Sequence, residues 1–264
     1  MKQRDVFIVS QTGVDPIYNK WAKEALQEWF NMFPDYKDRY PIKDLGSWKD
    51  SRHEVGRYEY ANLPPNEKEL CIPTSDGKYM RPYKSVDWFV GHAVLDGIKK
   101  GFRNNEICSY EFIHQMHQDP TRSNLPQLSI TLVQNSLRPD DNPSSPNFIY
   151  GHSSRGEGAV ISIGTLKNRP LRERELFFKA LVMHEFTHAC SVIEGHCGNK
   201  DCIIEDWNTD MVETWQKNKA NGKPPLCPQC WASCGAFFAH DCREEQKLNE
   251  YVGLYKRFSD MQRR

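Results

Sequence analysis

Residues 5–10, DVFIVS, form a short, nearly continuous apolar run of strand length, rich in Val, Ile and Phe. After a turn at Gly13, apolar side chains recur at Ile17, Trp21, Ala25, Leu26, Trp29, Phe30 and Phe33, the spacing of one helix face. Asp15 as N-cap and Pro16 at the first helical position set the start of that helix. Residues 34–84 then lose all periodicity. Pro34, Pro41, Pro64, Pro65, Pro73 and Pro82 stand among charged residues and tyrosines, which predicts an irregular surface insertion. Ser85 caps a second helix reaching about Phe102, with Val86, Phe89, Val90, Ala93, Val94 and Ile98 on its apolar side.

From Leu128 the pattern turns to strands: LSITLV at 128–133, NFIYG at 147–151 and AVISIG at 159–164, separated by Pro- and Gly-rich turns. A long helix follows from about Leu171, then a Cys-rich segment at 197–242 and a charged amphipathic helix at 243–264. No repeat or linker interrupts residues 1–264. The fold class expected is α/β (α+β): one domain with a mixed twisted sheet and a C-terminal segment stapled by metal.

Composition narrows the functions. Hydrophobic residues at 38% suffice for a core, and 35 Lys+Arg against 35 Asp+Glu give zero net charge. That balance argues against a nucleic-acid or anionic-membrane partner. No apolar run approaches the ~18 residues of a membrane span. The opening MKQRDVFIVSQ is too short in its apolar part for an export signal, so a reducing, cytoplasmic location is expected. In that setting nine cysteines point to thiols or metal ligands rather than disulfides.

The most informative residues are His184-Glu185-Phe186-Thr187-His188, an H-E-x-x-H on the apolar helix LFFKALVMHEFTHA. Residues four apart on a helix differ by only about 40° in azimuth and about 6 Å along the axis, so both imidazoles can hold one Zn²⁺. Glu185, next to the first ligand, is placed as general base for a zinc-activated water attacking a carbonyl polarised by the same ion. A third ligand is required. His196 is the nearest candidate; twelve residues of straight helix would carry it about 18 Å away. The helix must therefore end and the chain fold back, with Gly195 suited to a left-handed turn. Glu194, Glu205, Asp206, Asp210 and Glu213 are rival ligands. Cys197 and Cys202, with four residues between them, and Cys227 and Cys230, with two between them, fit a tetrahedral Cys₄ structural zinc. A rival set would draw on Cys227, Cys230, Cys234, His240 and Cys242, while Cys71, Cys108 and Cys190 read as buried thiols. Two zinc ions per chain are expected, one catalytic and one structural.

These stretches resemble the archaemetzincins. HEFTHACSVIEGHCGNKDC followed by PPLCPQC carries the likeness, with the adjacent His196-Cys197 pair, and ITLVQNSL, NFIYG and GEGAVISIGTLK extend it over roughly residues 125–232. The resemblance implies a zinc-dependent peptidase acting on peptides or proteins, with a metzincin-like zincin fold and a second, structural zinc. Three departures stand out: Ser191 occupies the family's Gly position, the third His comes two residues late, and Ile204 replaces the expected Met as an apolar floor. The loop between residues 202 and 227 is also longer. Two other readings are a silent zinc scaffold, disfavoured by the intact Glu185, and a SprT-like protease of DNA-bound proteins, disfavoured by zero net charge. Ser162 on the AVISIG strand is the expected edge for aligning an extended peptide.

Overall fold

The computed structural model describes residues 5–47, 57–58, 72–73, 75–80, 85–118, 128–140, 142, 148–167, 169–191, 195–205 and 210–262. Its centre is a five-stranded sheet. The strands are β1 (Val6–Ser10), β2 (Ile42–Gly46), β7 (Leu128–Val133), β9 (Gly151–Ser154) and β10 (Gly158–Ser162), in the spatial order β2-β1-β7-β10-β9. The first four in that order run parallel, and β9 alone is antiparallel to its neighbour. Short strands β3 (Arg57–Tyr58), β4 (Ile72–Pro73) and β5 (Tyr79–Met80) make a separate small sheet, and β6 (Glu106–Cys108) pairs with β8 (Ser136–Arg138).

The continuous apolar run of β1 has a direct cause. Val6 and Ile8 enter one core while Phe7 and Val9 enter the other, so neither face meets water. The first core is closed by α1 (Pro16–Phe30) and α5 (Leu171–Cys190), the second by α3 (Val86–Lys99) and α4 (Ser109–Gln118). Helix α5 is buried almost all the way round from Phe177 to Cys190. Asp15 caps α1 by accepting from the Ile17 amide at 3.0 Å, with Pro16 at its first position, and Ser85 caps α3 by accepting from the Trp88 amide at 3.3 Å.

Three boundaries differ from the sequence expectation. The stretch expected to be irregular from residue 34 begins in order: α2 (Pro34–Lys37) buries Tyr36, and β2 joins the main sheet. β2 is an edge strand with three exposed central residues, so its sequence IKDLG carries no apolar signature. The outer strand lies at Gly151–Ser154, four residues beyond the start expected at 147. Finally, the Cys-rich segment contains two helices, α6 (Asp210–Ala220) and α7 (Pro228–Asp241), before the terminal α8 (Glu245–Gln262). Among the described residues no helix is long and apolar enough to cross a membrane. Cys71 lies outside the described residues.

Candidate metal centres and catalytic cleft

Helix α5 divides its side chains between two tasks. Phe186 packs on Trp29 and Phe30, and the Trp29 indole donates to Thr187 Oγ1 at 2.8 Å, which fixes this face against α1. Leu181, His184, Glu185, His188 and Ser191 fall on the other stripe and line one wall of a cleft of about 450 Å³. Ile149, Tyr150, Gly151, His152 and Ser153 form the facing wall. Gly195, His196 and Met211 close the cleft.

α5 ends at Ser191, whose backbone is extended (φ −101°, ψ 150°) and whose hydroxyl meets Ser233 Oγ at 2.8 Å. The left-handed turn falls instead at Gly195, with φ 75°, and returns the chain so that His196 meets the helix. The His196 ring lies 5.4 Å from that of His184 and 5.3 Å from that of His188, centre to centre. One nitrogen from each of the three imidazoles lies within 4.8 Å of the others. His184 Nδ1–H donates to the Ile203 carbonyl at 2.6 Å, which leaves Nε2 for a ligand, and that atom faces His188 Nε2 at 3.2 Å. Nitrogens ~2.0–2.1 Å from a tetrahedral zinc stand about 3.3 Å apart, so the donor set fits the ion.

Burial drives the electrostatics. It holds His184 down to about 4 and His188 down to about 3, with the neighbouring imidazoles adding to the effect. Both rings are therefore neutral, with lone pairs available. Burial pushes Glu185 the other way, up to about 7, against the effect of the Ser153 hydroxyl, which favours the carboxylate. A pH dependence follows for the metal-free protein. An imidazole depressed on folding stabilises above its ordinary 6.5, and that contribution is lost as pH falls through about 4 and 3. Glu185 acts oppositely between 4.5 and about 7. Denaturant unfolding of chelator-treated protein is expected to show stability falling on acidification below pH 6.5. His188→Gln should flatten that loss and Glu185→Gln should steepen it; an unchanged slope in both would contradict this electrostatic picture.

The cysteines assemble about the start of α7. Cys227 is its N-cap, Pro228 its first residue, and Cys230 lies one turn in. Cys197 and Cys202 arrive on the 195–205 loop, which is tied down by the Ile203 amide donating to Pro225 O at 3.0 Å. The four sulfurs all lie within 4.8 Å of one another, Cys227 Sγ and Cys197 Sγ being 3.9 Å apart. Sulfurs at ~2.3 Å from a tetrahedral zinc stand about 3.8 Å apart, so this set also fits. The neighbouring Cys197, Cys202 and Cys230 thiols hold the Cys227 thiol far below its ordinary range.

No protein-family model matches the chain, and no curated protein matches it in sequence. Its structure is similar to the crystal structure of archaemetzincin from Methanopyrus kandleri, with a TM-score of 0.50 and 12% identity over 90% of this chain and 96% of that one. A weaker similarity, TM-score 0.34 at 11% identity, is to metalloproteinase-II from Bacteroides fragilis, covering 81% of this chain and 52% of that one. The archaemetzincin likeness is one of fold.

Against this geometry, the expected residues fall into place unevenly. His184, His188 and His196 come together, and so do Cys197, Cys202, Cys227 and Cys230. Of the rival carboxylates, Glu205 and Glu213 do not line the cleft, Glu194 and Asp206 lie outside the described residues, and the Asp210 side chain is likewise not described. The rival cysteine set is not assembled: Cys234 Sγ lies 3.9 Å from Thr187 O, Cys242 Sγ lies 3.8 Å from the Tyr40 hydroxyl, and His240 is exposed. Cys108 and Cys190 are buried free thiols. Two expectations are corrected. β10 is not an edge, because β7 and β9 flank it; Ser162 is buried and donates to Asn135 O at 2.8 Å. The edge is β9. Ile204 is buried in the core but does not line the cleft; the adjacent Ile203 carbonyl is what reaches His184, and Met211 is one of the apolar residues at the site, with Leu181 and Ile149. Ser153 and Met211 had no motif to announce them, and nothing in NFIYG, which ends in Gly151, pointed to its contact with Glu185.

Proposed function

We propose that the chain is a zinc-dependent peptidase, with His184, His188 and His196 holding the catalytic ion and the four cysteines a structural one. One observation carries this reading: three imidazoles and a buried carboxylate share a cleft beneath a strand edge that no other described strand pairs with. A zinc ion on the imidazoles supplies Lewis-acid polarisation of water and of the scissile carbonyl. Glu185, raised towards neutral pH, takes the proton from the attacking water as its oxygen bonds to the carbonyl carbon. The same carboxyl then gives that proton to the amine nitrogen as the C–N bond breaks. Holding a metal needs no buried carboxylate beside it, which speaks against a silent scaffold.

The substrate lies along β9. The Ser162 amide donates to Tyr150 O at 2.8 Å, so even-numbered residues of this strand turn their backbone groups towards β10. Gly151 and Ser153 therefore turn theirs to the open edge, where an extended peptide can add as a further strand. Incubation of the purified protein with a mixed peptide library tests the proposal: cleavage that a chelator stops and zinc restores is expected, and no cleavage at all would overturn it.

His196→Ala separates the imidazole from its carboxylate rivals. The variant should hold one zinc instead of two and lose cleavage, while the Cys₄ ion remains. X-ray absorption on a Cys227→Ser protein, carrying the catalytic ion alone, should count three nitrogen neighbours. Two nitrogens and a carboxylate oxygen would reassign the third ligand.

A further inference from the structure

Glu185 has a long, rotatable side chain in a cleft of about 450 Å³, so something must choose among its conformers. The facing residues on β9 do so by shape. A Cβ placed on Gly151 would stand 2.7 Å from Glu185 Cγ, 2.7 Å from Oε1 and 2.9 Å from Cδ. These are clashes along the length of the side chain, and turning the terminal carboxylate alone would not relieve the one at Cγ. Nothing in the backbone asks for glycine here: Gly151 is not among the residues with positive φ, and it pairs regularly with Ile161. Glycine inside a strand costs about 0.5–1 kcal/mol relative to alanine, so on backbone grounds the position is better filled by alanine. The reason for glycine is the space that Glu185 occupies.

Ser153 lies two residues along the same strand and so on the same face. Its side chain lines the same cleft as Glu185, where its hydroxyl favours the ionised carboxylate. Glu185 thus faces two alternate residues of one strand, and those two residues are also the ones whose backbone groups turn away from β10.

We propose that Gly151 and Ser153 are positioning residues for Glu185, Gly151 by vacating the notch the side chain fills and Ser153 by hydrogen bonding to its carboxylate. The proposal rests on the peptidase reading for its consequence in catalysis, but not for the placement itself. Because the same strand receives the substrate, docking of a peptide on β9 and orientation of the base are mechanically linked. The base lies under the residues the substrate grips.

The test uses the zinc-loaded chain as wild type, Gly151→Ala, Ser153→Ala, Ser153→Thr and, on the opposite face of β9, Ser154→Ala. Gly151→Ala is expected to lower kcat by about 10²-fold, the cost of misplacing a catalytic group by ~1 Å, with KM and zinc content unchanged. Its crystal structure should show Glu185 in a different χ1 or χ2 well, and its Tm should not fall. Ser153→Ala should lower kcat roughly tenfold, Ser153→Thr should restore it, and Ser154→Ala should match wild type. Glu185 keeping its conformer in Gly151→Ala would overturn the proposal. A loss expressed in KM or zinc content would do the same, as would a full kcat in both Gly151→Ala and Ser153→Ala. If wild type cleaves nothing, the peptidase reading fails, and the Glu185 conformer in the crystal still decides the placement.

Discussion

Glu185→Gln is expected to slow peptide cleavage by about 10³-fold, within the ~10²–10⁴ that general-base catalysis contributes, while both zinc ions are retained. The carboxamide has the shape of the carboxylate, so the notch at Gly151 stays filled and the three imidazoles keep their mutual distances. What it cannot do is accept and return a proton. The substitution also removes a buried charge. Glu185 titrates near 4.5 in an unfolded chain and is pushed up to about 7 by burial, so in the metal-free protein its ionisation opposes folding above that pH. The penalty relieved is on the order of 3 kcal/mol at pH 8 and vanishes below 4.5, where the carboxyl is protonated in both states. Urea unfolding of chelator-treated protein at pH 8 and at pH 4 should therefore show the variant more stable at the higher pH and matched at the lower. Undiminished cleavage by Glu185→Gln would remove Glu185 from the role of base.

The parts of the molecule legible in sequence were those whose side chains answer to the core or to a local rule. α1 follows from its apolar period together with Asp15 and Pro16, and α3 from Ser85. The return of His196 was legible from Gly195, since few residues accept φ 75° without strain. The cysteine pairs were legible because two short spacings suffice for a tetrahedral site. What stayed hidden answers to other constraints. β2 meets solvent, so IKDLG reads as loop. β9 ends in HSS, none of them fully buried, with Ser153 turned to the cleft and Ser154 to the opposite face, and the apolar NFIYG before it drew the expected strand too early. α7 buries Ala232, Ser233, Cys234 and Ala236, small residues that give little amphipathic signal, and its cysteines drew attention to metal instead. Gly151 matters through a contact with a residue 34 positions away, which no local pattern encodes.

Cys230→Ser is expected to have the largest effect on folding. A serine hydroxyl is a poor substitute for thiolate at zinc, so metal content should fall by at least one ion per chain. Binding of a structural zinc contributes ~10–16 kcal/mol in small zinc-finger peptides. Here the ion joins a loop to an already packed helix, and a loss on the order of 5 kcal/mol is expected. The loss reaches the cleft through the 195–205 loop, which among the described residues has no helix or strand and is held by the two cysteines together with the Ile203–Pro225 and Asn218–Asp201 hydrogen bonds. That loop carries both His196 and the Ile203 carbonyl that fixes the His184 ring, so freeing it loosens two of the three imidazoles together. Catalytic zinc affinity should therefore fall along with stability, although Cys230 contributes no atom to the cleft. Cys234→Ser, one turn further along α7 in the same core, separates metal from packing. It places a hydroxyl where a fully buried thiol was, and should lower stability while leaving two zinc ions bound. Metal analysis and urea unfolding of the two variants side by side make the comparison. Equal zinc content in Cys230→Ser and wild type would dissolve the structural site, and with it the physical reason that His196 is held beside His184 and His188.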